Sequence, residues 1–343
     1  MSATTPVFYQ DATRAWGYLE GEALQVLRRL PDCCVDAVIV DPPYGIGFHG
    51  ESWDGTDILA ATSTQSGRLP PGEAFERWNA LWARECLRVM KPGAHLAAFG
   101  SPRTFHRLVA GVEDAGLEVR DQLLWVFAQG MPKSGLLDGG LGSTLKPAFE
   151  PILLARRPLT GALAENLGRH KTGALNIDAA RIPRADSETG YWPATITASH
   201  ATECTSEDCN PACPVALLDD TSEGKPLSRL FYCAKASRQE REAGCESLPP
   251  RPVQIYTGKH HPRRLVRNVH PTVKPLDLMR WLVRLVTPAG GLVLDAFAGS
   301  GSTGGAAVLE HRRFLGIERE GDYVDIACAR ITHWAKQAGE SSR

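Results

Sequence analysis

A carboxylate, two prolines and an aromatic ring follow one another directly after an apolar run, as Asp41, Pro42, Pro43 and Tyr44. Neither proline has an N–H group, so a sheet ladder cannot continue through them. Each proline also favours an extended backbone in the residue before it. The sequence therefore predicts a stiff turn that holds the Asp41 carboxylate and the Tyr44 ring at the rim of a pocket. The plainer interpretation is a turn that ends a strand, with the aspartate as its cap.

A second group of residues combines a glycine-rich turn with an acid. Gly299 and Gly301 lie in the stretch VLDAFAGSGSTG, between an apolar run and a helical pattern. At such a place the polar end of a ligand can meet helix N-terminal amides. Glu318 ends the next apolar run, and an acid there commonly binds ribose hydroxyls. Because no Gly-Lys-Ser/Thr follows the glycines, the pattern favours an adenosine ligand without phosphates; the alternative is an ordinary strand-to-helix turn.

A cluster of soft ligands lies within a stretch of low apolar content, SHATECTSEDCNPACPV. The four residues are His200, Cys204, Cys209 and Cys213. Three thiolates and an imidazole are a tetrahedral ligand set for zinc, and a structural zinc would keep such a segment ordered. Cys233 and Cys245 are further candidate ligands. The alternative is a set of unliganded thiols on a mobile loop.

Positive charge is concentrated between residues 225 and 267, which contain ten Lys or Arg and three acids. A basic stretch of this kind, with Tyr and His between the charges, favours contact with nucleic-acid phosphates. A solvated surface is the alternative. The candidate phosphate-binding residues are Lys225, Arg229, Lys235, Arg238, Arg263 and Arg264.

Strands and helices that alternate along the chain must position these residues. Near-continuous apolar runs precede Asp41 and end at Asp295 and Glu318, as expected for strands buried on both faces of a parallel sheet. The runs AHLAAFG, QLLWVFA and PILLARR are three further strand candidates. Helical spacing occurs at 23–30, 73–90, 275–286 and 321–337. We expect an α/β fold in which 49–72 is a long loop, KPG (91–93) ends a helix, and 161–267 is a loop-rich insertion.

Composition limits the class of protein. The chain has 343 residues, enough for one large domain with an insertion, and its formal net charge is −1, so a nucleic-acid site must be a local patch. No apolar run has the length of a membrane span, and the N-terminus has no signal-peptide pattern. Nine cysteines without an export signal predict reduced thiols or metal ligands and a cytoplasmic location, as in a prokaryotic or phage-encoded protein.

These motifs resemble those of amino-group DNA methyltransferases. Asp41-Pro42-Pro43-Tyr44 is similar to their catalytic motif, the stretch 295–301 to their S-adenosylmethionine motif, and HPTVKPLDLMRWLV (270–283) to the helix that precedes it. The lead-in to Asp41 is also similar, although the family more often has Gly-Asp where this chain has Gly21-Glu22. The order of the motifs resembles the permuted β group, which includes N6-adenine and N4-cytosine methylases.

The resemblance implies a Rossmann-like S-adenosylmethionine-dependent methyltransferase sheet with helices on both faces. It also implies a division into a first catalytic part (1–160), an inserted target-recognition domain (161–267) and a second catalytic part (268–343). The substrate would be double-stranded DNA, from which the target base is flipped out. Any zinc in the insertion would be structural, because the chemistry needs no metal.

The resemblance also implies roles for single residues. The Asp41 carboxylate and the Pro42 carbonyl would accept from the exocyclic amino group, Pro43 would stiffen the turn, and Tyr44 would stack on the base; transfer would be a direct displacement. Thr272 and Lys274 would meet the methionine carboxylate, the alternative for Lys274 being a solvated lysine at a helix start. The remaining cofactor-binding residues implied are Glu22, Asp295, Phe297, Gly299, Ser300, Gly301 and Glu318.

Several alternatives remain open at the level of sequence. Cytosine enzymes of the group more often carry Ser at the position of Asp41, so the resemblance favours N6 of adenine over N4 of cytosine. A catalytically inactive DNA-binding regulator on a methylase core is an alternative of another class, and RNA or protein substrates are a third. A homodimer and a separate restriction nuclease are possible partners, since the sequence contains no nuclease motif.

Overall fold

A computed structural model describes residues 7–10, 15–63, 67–127, 140–184, 187–198, 231–233, 235–253 and 264–341. Within these ranges, no helix is long and apolar enough to cross a membrane.

A ten-stranded mixed sheet forms the centre of the molecule, in the order β1-β2-β14-β13-β3-β4-β6-β5-β9-β10. Its strands are β1 (Val7–Gln10), β2 (Trp16–Glu20), β3 (Val35–Val40), β4 (Met90–Phe99), β5 (Glu118–Val126), β6 (Phe149–Arg156), β9 (Ile196–Ala198), β10 (Phe231–Tyr232), β13 (Leu292–Asp295) and β14 (Arg313–Glu318). Two small antiparallel pairs stand apart, β7 (Ile182–Arg184) with β8 (Ser187–Tyr191) and β11 (Arg251–Val253) with β12 (Arg264–Val266).

Nine α-helices connect or flank the described strands. They are α1 (Ala23–Leu27), α2 (Thr56–Thr62), α3 (Pro71–Val89), α4 (Phe105–Asp114), α5 (Leu163–His170), α6 (Arg238–Glu242), α7 (Leu276–Val286), α8 (Ser302–Leu309) and α9 (Gly321–Ser341). Short 3-10 turns occur at Phe48–Gly50, Ser52–Asp54 and Asp178–Ala180.

Side chains of β3 alternate between two hydrophobic cores. Ile39 belongs to the core that contains Trp281 of α7, whereas Val38 and Val40 belong to the core that contains Trp82 of α3. Every residue of β3 is buried, because helices cover both faces of the sheet. The apolar run that forms β3 is therefore buried on both faces of the sheet, as predicted. The predicted α/β fold with a Rossmann-like sheet is confirmed.

The central strands bring the two sequence motifs to the same edge of the sheet. Strands β2, β14, β13, β3 and β4 are parallel, and β13 lies directly beside β3. Asp41 follows the last residue of β3, and Asp295 is the last residue of β13. Since carboxyl ends of parallel strands face one edge, the turns after β3 and β13 border one crevice, which is where ligands bind in open α/β sheets.

One predicted element assignment is wrong. The stretch 49–72 is not one long loop, because it contains the helix α2, whose residues Ile58 and Thr62 are buried. The helix α3 ends where predicted, at Val89, and KPG (91–93) lies inside the strand that follows, β4. Gly93 has a positive φ of 79°, which β4 accommodates without leaving the sheet. A β-carbon at this position would collide with the Asn166 side chain.

Part of the segment predicted as an insertion packs into the hydrophobic core that contains Trp281. Ala180 is buried there, with Leu175 and Ile177 packed against it. The Asn176 side chain donates to the carbonyls of Arg284 (3.0 Å) and Thr287 (2.8 Å) at the end of α7. These contacts attach the start of the segment to the sheet, while its boundaries at 161 and 267 stay a prediction.

Candidate active site

One large cavity lies at the carboxyl edge of the parallel strands. Its volume is 1450 Å³, and its lining includes both the turn after β3 and the turn after β13. Asp41, Tyr44, Asp295, Gly299 and Glu318 all contribute to its wall. The two predicted halves of a site are therefore brought together, although 254 residues of sequence separate the two aspartates.

The Asp41 carboxylate lies in this cavity with both oxygens engaged. Oδ2 accepts from the Lys274 ammonium at 2.6 Å, and Oδ1 accepts from the Tyr44 hydroxyl at 2.8 Å. Burial raises the pKa of Asp41, while the charge of Lys274 opposes that shift. The arrangement presents a negatively charged acceptor, already oriented by two donors, at the mouth of β3.

Lys274 lies in the wall of the cavity, where it is paired with two acids. Its ammonium contacts Asp41 and also Glu150 Oε2 (3.3 Å), and it donates to the Tyr44 hydroxyl at 3.2 Å. Burial alone would lower the pKa of Lys274, but Asp41 and Glu150 more than offset it and the pKa is raised. Three acceptors use the three hydrogens of the ammonium, and the side chain is buried, so the solvated alternative does not hold, whereas the methionine-carboxylate contact stays a prediction.

Glu150 is a site residue that the sequence analysis missed. It lies near the start of β6, lines the cavity and contacts Lys274, and its Oε2 accepts from the Tyr44 hydroxyl at 3.4 Å. Nothing in its local sequence, FEPILLA, marks it as functional. Only the antiparallel placement of β6 next to β4 carries it into the site.

The turn that follows Tyr44 is held by a buried acid. Asp54, which is fully buried, accepts from the backbone N–H groups of Gly45 (2.7 Å), Ile46 (3.1 Å) and Phe48 (2.8 Å). The Tyr44 carbonyl accepts from the Thr104 hydroxyl at 2.6 Å. The predicted stiff turn is thus stiffened by hydrogen bonds as well as by the two prolines, and Asp54 was not among the predicted site residues.

The glycine turn after β13 approaches other groups closely. Gly299 has a φ of 47°, and a β-carbon there would lie 2.5 Å from His270 Nε2. The Gly299 N–H donates to Glu318 Oε2 at 2.9 Å, and its carbonyl accepts from the Tyr18 hydroxyl at 3.1 Å. A side chain at this position would therefore collide with His270 in addition to narrowing the cavity.

Asp295 is a buried acid with an unusual pKa. Its Oδ2 accepts from the Thr303 hydroxyl at 2.5 Å, and its Oδ1 accepts from the Phe297 N–H at 3.0 Å. Burial raises the pKa to about 7, although these hydrogen bonds act in the opposite direction. The carboxyl group is therefore close to half ionised at neutral pH and would gain charge near a cation.

The other predicted cofactor-binding residues lie around the same cavity. Glu318 Oε1 accepts from the N–H groups of Arg319 (2.7 Å) and Glu320 (2.9 Å), and burial raises the pKa of Glu318. The Phe297 ring lies 5.6 Å from both Trp78 and Trp82 of α3. Other wall residues predicted for this role are Glu22, Ser300 and Thr272.

Two of these residues, Glu22 and Ser300, also form hydrogen bonds that stabilise the fold. The Glu22 side chain caps α1 by accepting from the Gln25 N–H at 2.9 Å. The Ser300 hydroxyl and carbonyl accept from Arg330, at 3.2 and 2.6 Å. Gly301, with a φ of 76°, ends the turn and begins α8.

The predicted DNA-binding and zinc-binding residues divide into two groups. Lys225, Arg229, Arg263, His200, Cys204, Cys209 and Cys213 lie outside the described residues. Arg238 and Arg264 are exposed, whereas the Lys235 ammonium lies 3.6 Å from the centre of the Phe127 ring and lines the cavity. Cys233 and Cys245 are buried free thiols, and the described part of the chain has no group of three metal-ligating side chains.

Comparison with known proteins agrees with this architecture. A family model described as DNA methylase matches residues 35–329. The Type II methyltransferase M.HindIII of Haemophilus influenzae is 24% identical, over 89% of this chain and 91% of that protein. The Type II methyltransferase M2.DpnII of Streptococcus pneumoniae is 20% identical, over 91% and 88%. The structure of the PvuII DNA methyltransferase (cytosine-N4-specific) shares the fold, with a TM-score of 0.55 and 14% identity over 94% and 92% of the two chains.

Proposed function

The chain belongs to the N6/N4 family of DNA methylases, and from that premise we propose that it methylates the N6 amino group of adenine in duplex DNA, with S-adenosylmethionine as the methyl donor. The observation that carries the proposal is the shared cavity. An oriented carboxylate, Asp41, and a glycine turn with an adjacent acid, Gly299 and Glu318, face the same space. Such a site can hold an amine and a nucleoside donor side by side.

The residues of the glycine turn fit S-adenosylmethionine. Glu318 retains free lone pairs beside its three backbone donors and is placed for ribose hydroxyls. Asp295 is an acid next to the turn and suits the ammonium group of the ligand. Phe297 and Trp78 supply an apolar wall next to that turn, and Trp82 packs behind the Phe297 ring. The cofactor, when bound, supplies a methyl group that is activated by attachment to a positively charged sulfur.

The residues around Asp41 act on the amino group. The lone pair of an exocyclic nitrogen is delocalised into the base, so the nitrogen is a weak nucleophile. Acceptance of its hydrogens by the Asp41 carboxylate and the Pro42 carbonyl localises the lone pair and stabilises the positive charge that develops on nitrogen. Lys274 and Tyr44 keep the Asp41 carboxylate in place before the base arrives. The base displaces the Tyr44 hydroxyl from Oδ1 and stacks on the ring.

The choice between adenine and cytosine rests on Asp41. Cytosine enzymes of the family that the motifs resemble more often carry Ser at this position, whereas this chain has an acid that is paired with Lys274. N4 of cytosine is the second candidate, because the PvuII enzyme with the same fold is cytosine-N4-specific. The DNA contacts themselves are proposed for the stretch 225–267 and for the inserted target-recognition domain of 161–267.

The test is methyl transfer from labelled S-adenosylmethionine to duplex DNA, followed by digestion and mass spectrometry of the nucleosides. We expect N6-methyladenine, and Asp41→Ala serves as the inactive control. N4-methylcytosine as the product would overturn the adenine assignment alone. Failure of the wild-type chain to bind the cofactor and to modify any DNA would overturn the proposal as a whole. Sequencing of modified bases in host DNA, with and without the gene, gives the recognition site.

A further inference from the structure

The cavity contains an arginine that neither motif includes. Arg241 lies on α6, within the segment predicted to read DNA, yet its side chain is partly buried and lines the cavity. Its Nη2 donates to the His270 carbonyl at 2.7 Å. Arg241 forms no ion pair with any residue that the structure describes. A guanidinium that faces a cavity with no carboxylate partner is a site for an anion.

The position of Arg241 is fixed by its surroundings. The Arg241 carbonyl accepts from the Asn268 side chain at 2.7 Å. Glu240, its neighbour on α6, accepts from the Leu276 N–H at 2.6 Å, so α6 is attached to the first turn of α7. Burial lowers the pKa of Arg241, which still leaves the guanidinium charged at neutral pH. The cation is therefore held by a rigid support and does not depend on a mobile loop.

His270 places Arg241 at the cofactor end of the cavity. The His270 ring lies over Gly299, while the carbonyl of the same residue holds Arg241. The ring itself brings no charge, because burial and the nearby Arg241 lower its pKa to about 3. Its Nδ1 accepts from the Thr272 N–H at 3.3 Å. Arg241, His270 and Gly299 thus form a continuous layer, and Arg241 is its charged member.

Two other cations of the described cavity wall already have partners. Lys274 is used by Asp41, Glu150 and Tyr44. Arg319 is paired with Asp57 (2.8 Å) and Glu320 (2.9 Å). Arg241 lines the cavity without an ion pair among the described residues and is therefore available for the carboxylate of an amino-acid ligand.

We infer that Arg241 binds the methionine carboxylate of the cofactor, in the place that the sequence analysis gives to Lys274. The inference rests on the proposed function, since it identifies the anion as part of S-adenosylmethionine. Thr272 remains suited as a second donor. A residue of the predicted DNA-reading segment then completes the cofactor site, and Lys274 is released to act on Asp41. The specificity for a ligand with a free carboxylate thereby depends on α6.

Decarboxylated S-adenosylmethionine provides the decisive probe, because it keeps the sulfonium and ammonium groups and lacks only the carboxylate. Calorimetry on the full chain measures the affinity for both ligands. We expect the wild type to prefer S-adenosylmethionine by about tenfold or more, as for a charge-assisted pair. In Arg241→Gln this preference should disappear, through loss of affinity for S-adenosylmethionine alone. Arg241→Lys should retain part of the preference.

Two controls separate the possible outcomes. Arg169→Gln removes an exposed arginine of α5, outside the cavity wall, and should leave both affinities unchanged. Lys274→Gln should keep the preference for the carboxylate while turnover falls. An unchanged preference in Arg241→Gln, or a loss of preference in Lys274→Gln instead, would overturn the inference. A wild type that binds neither ligand would overturn the proposed function, and circular dichroism with Arg241→Lys guards against an unfolded variant.

Discussion

The proposed chemistry depends on Asp41, whose carboxylate accepts hydrogen bonds from Lys274 and Tyr44. We expect Asp41→Asn to lower the turnover by at least about 100-fold, because a neutral amide accepts more weakly and stabilises less developing charge. The affinity for S-adenosylmethionine should stay within a few-fold, since Asp41 acts on the amine. Single-turnover methylation and calorimetry measure the two effects, and turnover equal to the wild type would remove Asp41 from the mechanism.

Asp295 predicts how cofactor affinity depends on pH. Because burial raises its pKa to about 7, the acid is mostly neutral below that pH and mostly ionised above it. Only the ionised form attracts the ammonium of S-adenosylmethionine strongly, so the affinity should rise as the pH increases through about 7. The rise between about pH 6 and pH 8 should approach tenfold, the change in the ionised fraction.

The matched variant for this prediction is Asp295→Asn. It keeps the size of the side chain and cannot ionise, so its cofactor affinity should be nearly flat over the same pH range. His270 does not contribute to the slope, because its pKa of about 3 lies well below the range. A slope in Asp295→Asn as steep as that of the wild type, measured by calorimetry, would assign the pH dependence to another group.

At the scale of elements, sequence patterns located the strands that carry the motifs. The runs that end at Val40, Asp295 and Glu318 are buried strands, and their turns hold the predicted site residues. These predictions worked because the pattern is local: an apolar strand is followed by residues that cannot continue it. The apolar residues that precede each motif are therefore sufficient to predict that the motif follows a buried strand.

Other site residues depend on contacts between distant elements. Glu150 enters the site through the pairing of β6 with β4, and Arg241 through the attachment of α6 to α7. Neither pairing leaves a local mark in the sequence, so neither residue could be predicted. The same reason explains why the ion pairs of Lys274 were not predicted, since its partners Asp41 and Glu150 are both remote in sequence.

The predicted zinc site belongs to an element outside the described residues, and it remains testable. Zinc held by His200, Cys204, Cys209 and Cys213 would order a segment that is too polar to fold by burial. We expect about one zinc per chain by elemental analysis. A chelator should weaken DNA binding more than cofactor binding, and Cys209→Ser should do the same.

A cysteine outside the predicted zinc cluster provides the control variant for the zinc measurement. Cys33 is exposed and far from the cluster in sequence, so Cys33→Ser should leave the zinc content unchanged. Protein purified without chelator that contains much less than one zinc per chain would mean that the four side chains are unliganded.

At the scale of the whole molecule, the site is assembled from both ends of the chain around one sheet. The first third supplies Asp41, and the last fifth supplies Asp295 and Glu318. The pairing of β3 with β13 and of β2 with β14 joins these parts. Side-chain contacts must reinforce this assembly, because the permuted order places the cofactor turn far along the chain from the catalytic turn.

Arg330 of α9 is a fully buried residue that connects three parts of this assembly. Its Nη1 donates to the Ser300 carbonyl at 2.6 Å and to the hydroxyls of Ser300 and Ser302, and its Nη2 donates to the Glu240 carbonyl at 3.5 Å. The Arg330 side chain therefore links α9 to the cofactor turn and to α6 through hydrogen bonds. Burial lowers the pKa of Arg330, while Cys245 and Glu240 oppose that shift, and its buried Nε has no hydrogen-bond partner among the described residues.

Arg330→Met should therefore destabilise the whole molecule. The methionine has a similar length but no donors, so the Ser300 carbonyl loses its buried partner, and we expect a loss of about 3 kcal/mol in the free energy of unfolding. The midpoint of thermal unfolding should fall by roughly 4 °C in a chain of this size. Lys336→Met, at an exposed position of the same helix, is the control and should leave the midpoint unchanged. Cofactor affinity should fall in Arg330→Met as well, since the turn that holds Gly299 and Gly301 loses its support; equal midpoints for the two variants in calorimetry would contradict the structural role assigned to Arg330.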